Sequence, residues 1–208
     1  MALIKGARSR AVFMLIRWWI FFLLPLLPLL LIIRNGFEND LGADPAKYIV
    51  DYMGTWALNM LWLTLAITPL RHLFSWGWIV KFRRMMGLYA LFYVVLHILS
   101  FATFLVGWRT DILVRELTER PYIIAGFIAF LLLLPLGVTS NKKMMRRLGS
   151  RWKTIHQLTY PISLLVMLHF FWQIRASFYE QLLYALILAW MLGYRLYVKN
   201  RDKVFRPG

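Results

Sequence analysis

The chain has 208 residues, 61% of them hydrophobic and 17% aromatic, with a net charge of +16 and no cysteine. Apolar residues gather into runs too long for the core of a soluble domain of this size, and the basic residues lie between those runs, which points to lipid as solvent and away from nucleic acid as partner. Without cysteine there are no disulfides, thiolate metal sites, iron–sulfur ligation or covalent haem attachment, so any metal must rest on His, carboxylate or Met.

A spanning helix needs about twenty mainly apolar residues, because the hydrocarbon layer is about 30 Å thick and each residue rises about 1.5 Å. The first apolar run follows a basic start (Lys5, Arg8, Arg10, Arg17) as a signal peptide does, but large residues and Arg34 come where a small-residue cleavage site would stand. It is expected to remain as a membrane helix over residues 12–33. Further spans are expected over 52–70, 85–108, 121–139, 155–174 and 182–198; the last is the shortest and carries Arg195 near its end, where the side chain can snorkel. Trp and Tyr stand at several ends as interfacial anchors.

Lys and Arg concentrate in the N-terminal arm, in 71–84, in 141–153 and after residue 199, whereas the loops 34–51, 109–120 and 175–181 hold eight of the nine acidic residues. Positively charged short loops stay cytoplasmic, which predicts both termini inside and the third and fifth helices running outward. The expected fold is all-α, one six-helix transmembrane domain over 1–208. No internal repeat or low-complexity stretch is apparent.

An ionisable group in hydrocarbon costs a few kcal/mol and needs a partner. His97 lies twelve residues into the third helix, about 18 Å, and His169 fourteen into the fifth, about 21 Å, so both imidazoles reach a similar depth nearer the outer face. Two neutral imidazoles from facing helices suit the axial positions of one haem iron and single-electron transfer. The alternative is a hydrogen bond for each, with Ser100 or Thr103 near His97 and Tyr160 or Gln173 near His169.

His156 stands thirteen residues before His169, about 20 Å away along the helix, a spacing that suits a second haem near the cytoplasmic leaflet. The expected partner position on the third helix, near 83 or 84, holds Arg83 and Arg84. Three further roles remain open for His156: a bond to a haem propionate, a quinone or flavin site, or a plain interfacial histidine. Pro161 can kink the helix between the two histidines. Arg83, Arg84, Arg146, Arg147 and Arg151 can grip propionates, a flavin phosphate or anionic lipid, or simply set topology. No G-x-G-x-x-G or G-x-x-x-x-G-K-[ST] sequence occurs, so NAD(P)H oxidation needs another protein.

The segments LGADP at 41–45, RRMMGLY at 83–89 leading to His97, ERPYI from Glu119, RRLGSRWKTIHQLTY at 146–160 and HFFW from His169 resemble the MsrQ family, the haem-binding membrane subunits of bacterial periplasmic protein-methionine-sulfoxide reductase systems. More distantly they resemble the ferric-reductase-like transmembrane domain. The resemblance implies b-type haem at His97, His156 and His169 and a non-covalent FMN. It also implies electrons drawn from the quinone pool or a cytosolic flavin reductase and passed to a periplasmic molybdopterin subunit. Against the wider pattern of two histidines on each of two helices, the chain lacks the inner histidine of the third helix.

These features make an electron-transfer subunit the leading expectation, with Asp111, Glu116, Glu119, Asp40 and Asp44 either as docking groups on the outer loops or simply as a solvated external face under the charge rule. Direct reduction of ferric iron or another small substrate differs only in the acceptor. A histidine-relay proton transporter is a third reading, but the six segments hold no interior carboxylate beyond Asp51 at an edge.

Overall fold

The computed structural model describes residues 2–173 and 178–205, with side chains over 12–173 and 178–201. Among these residues all regular structure is helical, and the chain groups into two compact units, Met1–Ile49 and Val50–Gly208. In the first, α1 (Ala2–Leu23) passes through a 3-10 turn (Leu24–Leu26) into α2 (Leu27–Phe37). Pro25 and Pro28 cannot donate backbone bonds, which explains why the turn tightens there rather than breaking the rod. The sequence motif LGADP has a local purpose. The Asp44 carboxylate accepts from the Lys47 amide at 3.0 Å, and Pro45 is the first residue of α3 (Pro45–Leu73), an N-cap followed by a pre-set φ.

The second unit contains α4 (Arg83–Ser100), which continues as a π-helical turn (Phe101–Val106) and ends at Gly107, whose φ of 63° is left-handed. Next come α5 (Thr110–Glu119) and α6 (Pro121–Val138), then two short helices, α7 (Lys142–Leu148) and α8 (Ser150–His156). Helices α9 (Thr159–Phe171) and α10 (Tyr179–Phe205) complete it. Pro135 lies inside α6, and the hydroxyls of Thr139 and Ser140 bond the carbonyls of Pro135 and Leu136, both at 2.6 Å, closing the helix end internally.

Helix α6 packs most extensively on α9, and Tyr93, Ser163 and Met191 are fully buried in this unit. Helix α10 is tied to α3 by Trp62 Nε1 donating to the Tyr184 carbonyl at 3.1 Å and by the Tyr184 hydroxyl donating to Asn59 Oδ1 at 2.7 Å. The opposite faces are apolar and open: Leu131, Leu164 and Leu186 expose about half their surface or more. Helices that are apolar outside as well as inside belong in lipid. Four are long and apolar enough to cross a membrane among the described residues: Val12–Phe37, Gly77–Val106, Pro121–Val138 and Tyr179–Arg201. The protein is a multi-pass membrane protein.

Some element boundaries differ from the sequence expectation. The expected fifth span over 155–174 is divided by a turn at Gln157 and Leu158, so His156 ends α8 and His169 sits on α9. Pro161 therefore falls in the first turn of α9, where its missing N–H costs little, and bends no continuous helix. The expected end of that span at Ile174 lies outside the described residues. The acidic loop 109–120 is mostly the short helix α5, and the basic turn 141–153 is mostly α7 and α8. Helix α3 has the length to span, at 29 residues, but Asn59, Thr64 and Thr68 make it less apolar than the four.

Candidate functional site

His97 on α4 and His169 on α9 face each other, their ring centres 6.2 Å apart and their planes 79° from parallel. Each ring is fixed from behind in the same way. His97 Nδ1 lies 2.9 Å from the Val50 carbonyl, and His169 Nδ1 lies 2.6 Å from the Tyr122 carbonyl. A carbonyl can only accept, so Nδ1 carries the proton in both rings and Nε2 keeps its lone pair. The partners anticipated for His97, Ser100 and Thr103, are not the ones it uses. Gln173 does approach His169, with its amide nitrogen 3.1 Å from Nε2.

The carbonyls come with glycines. Four residues after Val50 and after Tyr122 stand Gly54 and Gly126, one helical turn on and on the same face. A Cβ at Gly54 would lie 3.0 Å from the His97 ring, and one at Gly126 would lie 2.8 Å from His169 Nδ1. Only a residue without a side chain lets each imidazole lie this close to its neighbour helix. The two halves match in register: Val50, Gly54 and His97 each precede Tyr122, Gly126 and His169 by the same 72 positions. The chain thus contains an internal structural repeat, contrary to the sequence expectation. It escapes a sequence scan because few other residues agree at that offset.

The same offset organises a second site. A cavity of about 440 Å³ is lined in pairs by Leu61 and Leu133, by Thr68 and Ser140, and by Arg84 and His156. The repeat equivalent of His156 is therefore Arg84, the position where the sequence expectation sought a second histidine. His156 stacks on Trp152 with ring centres 4.0 Å apart, and its Nε2 lies 3.2 Å from Thr139 Oγ1. Trp152 is itself anchored, donating from Nε1 to the Thr139 carbonyl at 3.1 Å. Arg83 lines the cavity too, along with Lys153 and Arg195. Arg195 does not snorkel outward: its guanidinium turns in to the Leu65 carbonyl and Thr68. Arg83 begins α4 and His97 lies fourteen residues on, so about 21 Å of helix separates the cavity wall from the histidine pair.

Among the described residues no three His, Asp or Glu side chains come together, so a bare metal ion has no ligand set. Two imidazoles alone are sufficient only where a macrocycle supplies the other ligands. On the acidic side, Asp111 bonds Arg109 at 2.8 Å and Glu116 bonds Arg120 at 3.0 Å, so local cations already answer two of the proposed docking charges. The Arg109 guanidinium holds the Asp111 carboxyl below the usual carboxylate range. Asp44 serves as a helix cap.

The ferric reductase like transmembrane component family is matched over residues 53–167. A protein-methionine-sulfoxide reductase heme-binding subunit MsrQ of Xanthomonas euvesicatoria is 48% identical over 166 residues, 79% of this chain and 76% of its own length. Relatives of the same name in Xanthomonas axonopodis and Azospira oryzae are 49% and 40% identical, over 78% and 86% of this chain and 74% and 78% of their own. The chain belongs to the MsrQ family. Its ferric-reductase-like segment contains His97, His156, Arg83 and Arg84, and His169 follows two residues after the matched end. No solved structure matches the chain significantly.

Proposed function

We propose that this MsrQ-family protein binds b-type haem between His97 and His169 and passes electrons across the bacterial inner membrane to a periplasmic molybdopterin-containing partner that reduces methionine sulfoxide in proteins. The observation that carries the reading is the separation of the two rings. A metal–nitrogen bond of about 2 Å, plus about 1 Å from that nitrogen to the ring centre, puts two axial imidazoles about 6 Å apart. The rings stand at 6.2 Å. Support also comes from the two Nδ1–H donors, which make Nε2 the ligating atom of both rings, that of His169 lying against Gln173, and from the relatives that are heme-binding subunits.

Haem held by these two imidazoles would supply a one-electron redox centre. The Val50 and Tyr122 carbonyls would raise the basicity of the two ligands by accepting hydrogen bonds from Nδ1–H, and Gly54 and Gly126 admit the rings. For His169 Nε2 to bind the metal, the Gln173 amide 3.1 Å away would have to turn aside. On the entry side, Arg83, Arg84 and His156 line a cavity for a second cofactor, FMN or an inner haem, fed by the quinone pool or a cytosolic flavin reductase. We assign six crossings by adding α3 and α9 to the four most apolar helices, with both termini cytoplasmic under the charge rule.

The absorption spectrum of detergent-purified protein before and after dithionite tests the assignment. Low-spin haem bands that vanish in His97→Ala and in His169→Ala support it. A colourless preparation from haem-replete cells excludes it.

A further inference from the structure

Two arginines from different helices meet on a single hydroxyl in the basic cavity. Arg83 Nη2 and Arg195 Nη2 both donate to Thr68 Oγ1 at 3.0 Å, and Arg195 also reaches the Leu65 carbonyl. Arg83 Nε and Arg195 Nη1 are buried and have no acceptor among the described residues. The cavity wall contains no Asp or Glu, while Arg84 and Lys153 add further positive charge. The Tyr160 ring lies under the Arg195 guanidinium at 5.7 Å, which helps solvate a cation but cannot accept its unused N–H in a charged pair.

Like charges that share one neutral acceptor repel, and a buried guanidinium N–H without a partner is costly. Topology does not account for this, because positive-inside residues are satisfied by solvent, whereas these two point inward. Leu61, Leu65, Leu133 and Leu136 give the wall an apolar part, beside the neutral polar side chains of Thr64, Ser140, Gln157 and Thr159. We propose that the cavity binds an amphiphilic ligand by its oxyanion, a phosphate or a carboxylate, which accepts from the guanidinium groups of Arg83 and Arg195 as they turn to it from Thr68, while its apolar body lies on the leucines. This rests on the reading that an entry-side cofactor occupies the cavity, and adds to it Arg195 and Thr68 as the residues that select an anionic head. Arginine suits the task because its fork offers paired donors to a planar or tetrahedral oxyanion.

The test compares wild-type protein with Arg195→Gln, Arg195→Lys and Thr68→Val, using FMN, riboflavin and inorganic phosphate as titrants and measuring bound haem and phospholipid in each preparation. With a flavin phosphate as the anion, wild type prefers FMN to riboflavin by about tenfold or more, as loss of a charged hydrogen bond implies. Phosphate then competes with FMN, Arg195→Gln abolishes the preference without weakening riboflavin, and Arg195→Lys restores part of it. Thr68→Val falls between wild type and Arg195→Gln. With a haem carboxylate as the anion, FMN and riboflavin bind alike and Arg195→Gln lowers haem content by about half while the signal of the His97–His169 pair persists. With a lipid phosphate, only co-purified phospholipid falls. If Arg195→Gln folds, keeps the signal of the histidine pair and changes none of these three quantities, the proposal is overturned. Absence of the low-spin signal from wild type refutes the haem assignment instead, and leaves the titrations with FMN, riboflavin and phosphate to decide the anion site.

Discussion

At the scale of single residues, the two histidines are set by what lies behind them as much as by what lies between them. Each Nδ1–H is spent on a carbonyl, which orients the ring and fixes the tautomer before any metal arrives. The 79° between the ring planes has a spectroscopic consequence. Nearly perpendicular axial imidazoles leave the iron's two out-of-plane d orbitals close in energy, so the oxidised protein should give a strongly anisotropic low-spin EPR signal. A rhombic signal of the parallel-plane type would mean that the rings rotate on loading. Gly126→Ala places a methyl 2.8 Å from His169 Nδ1 and should lower haem occupancy severalfold, with Gly54→Ala, at 3.0 Å, the milder of the two. Equal occupancy in all three proteins, measured as haem per polypeptide, would show that the glycines are not needed.

The histidine pair could be reached from the sequence because helix rise is constant: counting residues from the basic turns put both rings at one depth. The glycines and carbonyls could not, since a glycine in an apolar helix carries no mark of what approaches it. The 72-residue register was hidden for a related reason, because lipid-facing and core positions tolerate many apolar residues and only backbone contacts preserve the repeat. Hydropathy allows Arg195 to snorkel but cannot tell which way a side chain near a helix end turns, and this one turns in to Leu65 and Thr68.

At the scale of helices, the main differences arise where short amphipathic segments replace loops. Helix α5 has acidic and basic residues on a surface face and too little apolar length to register as a span. The turn between α8 and α9 places His156 apart from His169 on a separate helix, stacked on Trp152 and beside Thr139. His156→Ala should therefore spare the spectrum of the His97–His169 site while altering the inner cofactor. Loss of all haem in that variant would argue that the two sites are one. The attachment of α10 to α3 depends on few polar contacts. Tyr184→Phe removes the bond to Asn59 and should cost about 1 kcal/mol, seen as a lower melting temperature in detergent.

At the largest scale, within Val50–Gly208, positions 72 residues apart bring one histidine each to a shared site and one cationic or imidazole side chain each to a shared cavity. The histidine pair is symmetric; the cavity is not, because Arg84 answers His156. Orientation can be tested with little background, since the chain has no cysteine of its own. A cysteine at Lys143 in the basic turn should react with an impermeant thiol reagent only when the cytoplasmic side is exposed, and one at Val114 in α5 should react from the periplasm in intact spheroplasts. The reverse pattern would invert the proposed path of electrons.

The most direct measurement of the central claim is haem content and the dithionite-reduced minus oxidised spectrum of purified wild type, His97→Ala and His169→Ala. The proposed pairing predicts a low-spin b-type difference spectrum in wild type and the loss of the same component in both variants, because each would remove one of two ligands to one iron. Retention of that component in either variant would contradict the pairing.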